Sequence, residues 1–222
     1  YIELLSESLY FVSFCLNTDF ASSKLNLASL FFFYVVIQRT VYVLGLIESN
    51  YDQNIVEPIC GCYSFKGKPL KLGFFEMPVD HNEEAIQFTT SSCIRYLPCE
   101  INCIPDEFKH EMFRSIEEDK AFRGKEDDWM DMAVVDSITY LYFLQYKTYS
   151  HLMRQDEKQR ALTNLARTIY QEPNLGHRET ALNLLGQCME QESRPREAIQ
   201  CYLMSLKRIG RNNAAKLLIF HL

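Results

Sequence analysis

Apolar residues crowd the first fifty positions. From Glu3 to Leu16, and again from Lys24 to Ser49, they recur too densely to form a single helix face. The pattern predicts a helical pair over residues 1–50, each helix buried on most of its circumference. Between Asn50 and Pro105 the periodicity breaks. Gly61, Gly67 and Gly73, with Pro58, Pro69, Pro78 and Pro98, punctuate short apolar runs such as Leu70 to Phe75. This is the composition of a loop-rich insert over 51–105, with room for a short hairpin. Helical spacing returns at Pro105 and Asp106, followed by Phe108, Met112, Phe113 and Ile116. After Lys125-Glu126-Asp127-Asp128, the residues Met130, Val134, Ile138, Leu141 and Leu144 predict one long helix, its other faces carrying Tyr140, Tyr142, Tyr146 and Tyr149. Asp156 opens a further helix carrying Ala161, Leu162, Leu165, Ala166 and Ile169, which Pro173 and Gly176 end.

The last forty-odd residues are the most specific. From Glu179 onward they fit the 34-residue tetratricopeptide repeat, in which small and large positions are dictated by two interlocking antiparallel helices. Leu182, Leu185, Gly186 and Met189 take the large, large, small and large positions of a first helix. After Ser193, Arg194 and Pro195, the residues Ala198, Tyr202 and Ser205 take the small, aromatic and small positions of a second. Gly186 and Ala198 let the backbones approach and Tyr202 fills the gap. Pro195 suits a first helical turn, where its missing N–H costs nothing, and Gly210 is placed as a terminator. One repeat back, Ala161, Leu165, Thr168 and Pro173 fall at the offsets of Ala198, Tyr202, Ser205 and Gly210. The expected fold is therefore all-α: a tetratricopeptide-like helical-hairpin array over 106–222, with its best hairpin at 179–210 and a loop-rich insert before it. Such repeats need neighbours to bury their faces. The opening run Tyr1 to Leu5 also reads as helix interior, so the chain is expected to be part of a longer protein.

Bulk properties narrow the function. At 222 residues and 47% hydrophobic, the chain can bury a good-sized core. Asp and Glu outnumber Lys and Arg 29 to 23 for a net charge of −6, which argues against a nucleic-acid partner. The apolar stretch Asn26 to Ile47 is interrupted by Gln38, Arg39 and Thr40. A central Arg costs about 2.5 kcal/mol or more in a bilayer, so a buried core helix is expected and no membrane partner. No secretory signal is visible. The eight cysteines, at 15, 60, 62, 93, 99, 103, 188 and 201, are scattered as reduced thiols are. A cytoplasmic location follows as the expectation.

Several segments resemble a known family. The blocks Ile101-Asn102-Cys103, Glu111-Met112-Phe113-Arg114-Ser115, Asp127-Asp128-Trp129-Met130-Asp131, Ala133-Val134-Val135-Asp136-Ser137 and Glu179 to Gly186 resemble the C-terminal helical region of invertebrate male-abnormal (Mab) family, cyclic GMP-AMP synthase-like proteins. The resemblance spans about residues 40 to 222. It implies a nucleotidyltransferase-like domain upstream and a sensing role in innate immunity. It carries no active-site residue here, since the family's Gly-Ser turn followed by paired acids is missing from these residues.

Chemistry in the residues themselves is thin. Asp127 and Asp131 share a helix face, but acids in a first turn complement the helix dipole, and Glu126, Asp128 and Asp136 extend that reading more simply than a metal site does. Cys60, Cys62, Cys93, Cys99, Cys103 and His81 lack the paired spacing of a zinc staple. His110, His151 and His177 read as exposed helix-end residues without a nucleophile, and the tyrosines of the long helix as packing. Neither a catalytic site nor a metal or other cofactor is expected. The first helix of a tetratricopeptide hairpin normally lines the concave groove, so Thr180, Asn183, Gln187, Glu190 and Gln191 are the candidates for binding a protein or peptide partner.

Overall fold

The computed structural model describes residues 21–52, 56–59 and 90–220. The expected helix from Glu3 to Leu16, the Leu70 to Phe75 run, Cys15, Cys60, Cys62 and His81 lie outside them. The described chain is mostly helical, in keeping with the all-α expectation, and carries one small sheet beside the helices: three strands, β1 (Glu57–Ile59), β2 (Thr90–Tyr96) and β3 (Ala133–Asp136), in the order β1-β2-β3. β1 runs parallel to β2, and β2 pairs antiparallel with β3, with Ile94 opposite Val135 and Tyr96 opposite Ala133.

β3 replaces the front half of the expected long helix. Lys125–Asp131 is a 3₁₀ segment, Ala133–Asp136 is strand, and the helix starts only at Ser137, as α5 (Ser137–His151). Met130, Val134 and Ile138 have helical spacing, yet Val134 and Val135 are β-branched, and a short apolar run fits either state until a partner strand decides. β2 is that partner. The segment from Asp106 likewise forms one helical turn, α3 (Asp106–Lys109), then turns, rather than three turns of helix. A second single turn, α4 (Glu117–Lys120), follows.

The stretch Asn26 to Ile47 is two helices, α1 (Ser22–Phe33) and α2 (Ile37–Asn50). Between them Val35 takes a left-handed conformation with φ of 59°. Arg39 faces out, its guanidinium 5.6 Å from the Phe31 ring. Among the described residues no helix is long and apolar enough to cross a membrane.

The C-terminal half is two helical hairpins and a short final helix. α5 pairs with α6 (Gln155–Gln171), and α7 (Arg178–Gln191) pairs with α8 (Pro195–Arg208); α9 (Ala215–Ile219) then folds back on α8. Three connectors share one geometry. In α1–α2, α5–α6 and α7–α8 the joint is three residues long, with its middle residue left-handed: Val35, Met153 and Ser193. In each, the following N–H reaches back across the helix end, from Val36 to Phe31 O, Arg154 to Tyr149 O and Arg194 to Met189 O. This is the Schellman closure, here made without glycine.

Met153 and Ser193 are forty residues apart, so the two C-terminal hairpins superpose in sequence with an offset of forty rather than thirty-seven. Buried Ala161, Leu162 and Leu165 then match buried Cys201, Tyr202 and Ser205. On that register Tyr146 stands where Gly186 does, which explains why the earlier first helix fits the repeat template poorly.

In the α7–α8 hairpin the small-against-large pairing read from the sequence is present. A Cβ built on Gly186 would overlap the Tyr202 ring, lying 2.8 Å from Cζ and 2.9 Å from Cδ1. Leu182, Leu185, Met189 and Ala198 are buried around it, and the Ser205 hydroxyl donates to Glu179 O at 2.9 Å. One continuous core runs from Ala21 through Ile94, Tyr140 and Leu165 to Leu218, so the described parts of all three sequence segments share it. Tyr140 and Tyr146 are fully buried and Tyr149 nearly so, the packing role expected of that helix. The hydroxyls of Tyr96 and Tyr140 meet Ser29 at 2.8 Å each, which gives these buried rings their polar partner.

Candidate functional site

The five groove candidates sit on α7, and the structure places most of them in the interior. Thr180 and Asn183 are fully buried, and Gln187 is 6% exposed. Their polar groups are taken by the segment 107–111 of the same chain. Thr180 Oγ1 donates to Glu111 Oε2 at 3.2 Å, Asn183 Nδ2 to Glu111 Oε1 at 2.8 Å, and Gln187 Nε2 to Glu107 O at 3.0 Å. Gln191 is exposed but donates to the Glu107 carboxylate, and Glu190 accepts the Tyr202 hydroxyl. The expected α7 groove is thus filled from within. Polar residues at these positions serve a buried partner instead of solvent.

That partner is a charged junction. Glu111 and Arg114 are each 1% exposed and 3.4 Å apart. Arg114 also donates from Nε to Met130 O at 3.2 Å and from Nη2 to Met132 O, and its guanidinium lies 5.1 Å from the Trp129 ring centre. Trp129 in turn meets His177 edge-on at 5.2 Å. His177 is fully buried, not the exposed helix-end residue its position suggested. Asn183 Nδ2 also donates to Asn213 Oδ1 at 3.0 Å, joining the junction to the α9 turn. Burial raises the Glu111 carboxyl above its ordinary range, against Arg114 and the donors from Asn183 and Thr180, which pull it down.

Asp136 is a second buried carboxylate. Its two oxygens accept the N–H groups of Gly176 at 2.9 Å and His177 at 2.8 Å, pinning the start of α7 to the β3–α5 joint. Burial pushes this carboxyl up as well, while the nearby His177 opposes it. Neither carboxylate is left with an oxygen lacking a donor from the chain itself, so both are committed to the architecture.

Two of the acids considered for a metal are committed too. Asp127 Oδ2 accepts the Gly124 N–H at 2.9 Å, and Asp131 pairs with Arg123. Among the described residues no group of three or more His, Cys, Asp or Glu is placed to hold a metal ion. Cys93, Cys99, Cys103, Cys188 and Cys201 are all free thiols.

The open feature lies on the other side of α7. α6 and α8 form the walls of a cleft of about 490 Å³, with Leu162 and Ala166 of α6 and Leu185 and Met189 of α7 as its floor. Gln159, Thr163, Arg167 and Tyr170 line one wall; Glu197, Gln200, Cys201 and Met204 line the other. Glu192, in the α7–α8 joint, holds the start of α6 beside that joint. Its carboxylate accepts from Lys158 at 2.8 Å, Gln159 and the Tyr146 hydroxyl at 2.9 Å, interactions that outweigh its burial and hold the acid below its usual range. Tyr170 is 53% exposed and Met204 40%. Cys201 is buried at the wall, and burial followed by the nearby Glu197 pushes its thiol up to about 11, so it is an inert side chain rather than a nucleophile.

A smaller hollow of about 300 Å³ opens beside Phe33, Val35 and Pro105. Its lysines are occupied: Lys109 pairs with Asp106 at 2.7 Å and Lys147 with Glu107 at 2.5 Å. In the α6–α8 cleft, by contrast, Arg167 and Gln200 make no ion pair or hydrogen bond among the described residues. Sequence reasoning missed these two residues. The available signal was the strong polar-apolar division of α6 for Arg167 and of α8 for Gln200. Comparison of the chain with protein-family models, curated proteins and solved structures finds no match.

Proposed function

We propose that this chain is a non-catalytic protein-interaction module, and that its partner binds in the α6–α8 cleft rather than along α7. The observation that carries the reading is the combination of an apolar floor with walls whose Arg167 and Gln200 have unused hydrogen-bonding capacity. Small numbers of polar groups above an apolar base are the usual make-up of a recognition cleft. The hairpins with identical connectors at Met153 and Ser193 support a helical-repeat scaffold of tetratricopeptide-like kind, in which stacked hairpins create such furrows. The buried acids support the absence of catalysis, since Glu111 and Asp136 are bound by the chain's own donors.

An alternative, which rests on the sequence resemblance to Mab-family proteins, is that the same module is the accessory helical region of a nucleotidyltransferase-like sensor. The cleft would serve the same purpose there. The test is site-specific photocrosslinking. A benzophenone side chain introduced in place of Thr163, in the cleft, should give adducts with a defined protein, and one in place of Gln191, beside the filled face of α7, should not. Adducts from Gln191 alone, or from neither site, would overturn the reading.

A further inference from the structure

The protein is acidic as a whole, with a net charge of −6, but the two helices that flank the cleft carry Lys158, Arg160, Arg167, Arg196, Lys207 and Arg208 against Asp156, Glu157 and Glu197. Arg160 and Arg167 lie seven residues apart on α6 and therefore share a face; Arg196, Lys207 and Arg208 stand on α8. All five are exposed, and none enters an ion pair or hydrogen bond among the described residues. The acids nearby are mostly committed: Glu157 to Arg154, Glu192 to Lys158, Glu197 to Arg194. Asp156 is the exposed acid left to offset them. The excess is felt locally, because Arg178, which is hydrogen-bonded to Glu172 O at the end of α6, has its pKa lowered by burial and then by Arg208. Between these cations lie exposed Tyr170, Leu203 and Met204, and the apolar floor.

We infer that the occupant of the α6–α8 cleft is an acidic protein segment carrying at least two apolar side chains, which enter the cleft while its carboxylates meet the surrounding arginines. The inference rests on the interaction reading above and adds the partner's chemistry. Charge complementarity sets the sign, since an acidic segment neutralises cations that have no partner within the chain. The cleft sets the class of macromolecule. A single-stranded nucleic acid needs successive aromatic platforms, and Tyr170 is the one aromatic lining the cleft, its hydroxyl already hydrogen-bonded to Cys201. An anionic bilayer presents a broad surface that cannot enter a concave furrow, so the floor of Leu162, Ala166, Leu185 and Met189 would gain nothing from it.

The test is fluorescence anisotropy with the full chain and three fluorescein-labelled synthetic peptides. The first is two repeats of Leu-Glu-Glu-Phe-Glu-Asp-Leu; the second has Lys at every acidic position; the third has Ser at every apolar position. Poly(U) RNA and vesicles of phosphatidylserine with phosphatidylcholine are run beside them. The first peptide should bind, with the other two at least roughly tenfold weaker, and its affinity should fall as salt is raised. Arg167→Glu combined with Arg208→Glu, both at exposed unpaired positions, should weaken it by roughly tenfold, and Thr163→Trp, which fills the cleft, should abolish binding.

Equal binding of the acidic and basic peptides, lost together in Thr163→Trp, overturns the acidic partner and leaves the cleft standing. Binding of the acidic peptide that survives Thr163→Trp places it elsewhere and removes the cleft reading. Tighter binding of RNA or vesicles, lost in the double Glu variant, overturns the protein partner, and no binding by any probe overturns the inference outright.

Discussion

Replacing Gly186 by Ala is the sharpest test of how the cleft is built. In a helix interior the exchange should stabilise by about 1 kcal/mol, because Ala has less backbone freedom to lose. Here the added Cβ falls 2.8 and 2.9 Å from two carbons of the Tyr202 ring, inside any real Cβ contact. Tyr202 cannot swing aside cheaply: it is fully buried and its hydroxyl is held by Glu190. Overpacking of this kind costs roughly 1–3 kcal/mol. With contacts this close, the upper part of that range applies, and net destabilisation of about 1–2 kcal/mol is expected. Urea unfolding followed by circular dichroism measures it. The control is the same exchange in a Tyr202→Leu background, where the ring is gone and Gly186→Ala should become neutral or stabilising. A neutral or stabilising Gly186→Ala in the parent would refute the reasoning, since it would mean that α7 and α8 can separate without cost.

Asn183→Ala removes a donor from buried Glu111 and should cost about 1–3 kcal/mol in urea unfolding, whereas exposed Gln200→Ala should stay within about 0.5 kcal/mol; similar small effects at both would deny the junction. Glu111 gives a pH signature. Its folded pKa is raised from 4.5, so the unfolded chain ionises first and stability attributable to this group falls as pH rises from that value through the folded one. Stability measured across that window should decline less in Glu111→Gln than in the parent, with Arg114, Glu179, Thr180 and Asn183 common to both; identical slopes would deny the shift. Val35→Gly should raise stability by up to about 1 kcal/mol, because a β-branched residue is strained at φ of 59° and the side chain is 64% exposed. A loss of stability would show that the Val35 side chain packs more than its exposure implies.

What could be read from the sequence was whatever depends on near neighbours. α6, α7 and α8 follow from their spacing, Pro195 marks the first turn of α8, and the Gly186–Tyr202 fit follows from a small residue facing a large one across a short turn. Features that depend on distant partners were hidden. Ala133–Asp136 becomes a strand because β2, some forty residues earlier, pairs with it. The connectors at Met153 and Ser193 carry no glycine to announce a left-handed residue, so nothing local marks the forty-residue register. Glu111 and Arg114 form a buried pair whose donors Thr180 and Asn183 lie about seventy positions away in the chain, beyond the reach of local spacing.

The α7 candidates show the same dependence on distant partners. Thr180, Asn183 and Gln187 lie along one face of α7, three to four residues apart, and their side-chain donors are taken up by Glu107 and Glu111. Opening it would leave the buried Glu111 carboxylate with two fewer donors, and an unpaired buried charge is among the costliest defects in an interior. A partner would have to replace those bonds group by group before gaining anything. Leu185 and Met189 occupy the opposite face of the same helix, and there the neighbours α6 and α8 stand apart. That side exposes apolar carbon beside Arg167, which enters no ion pair among the described residues. The two faces differ in this: the donors on the Glu107–Glu111 side are bonded within the chain, and the α6–α8 side is open.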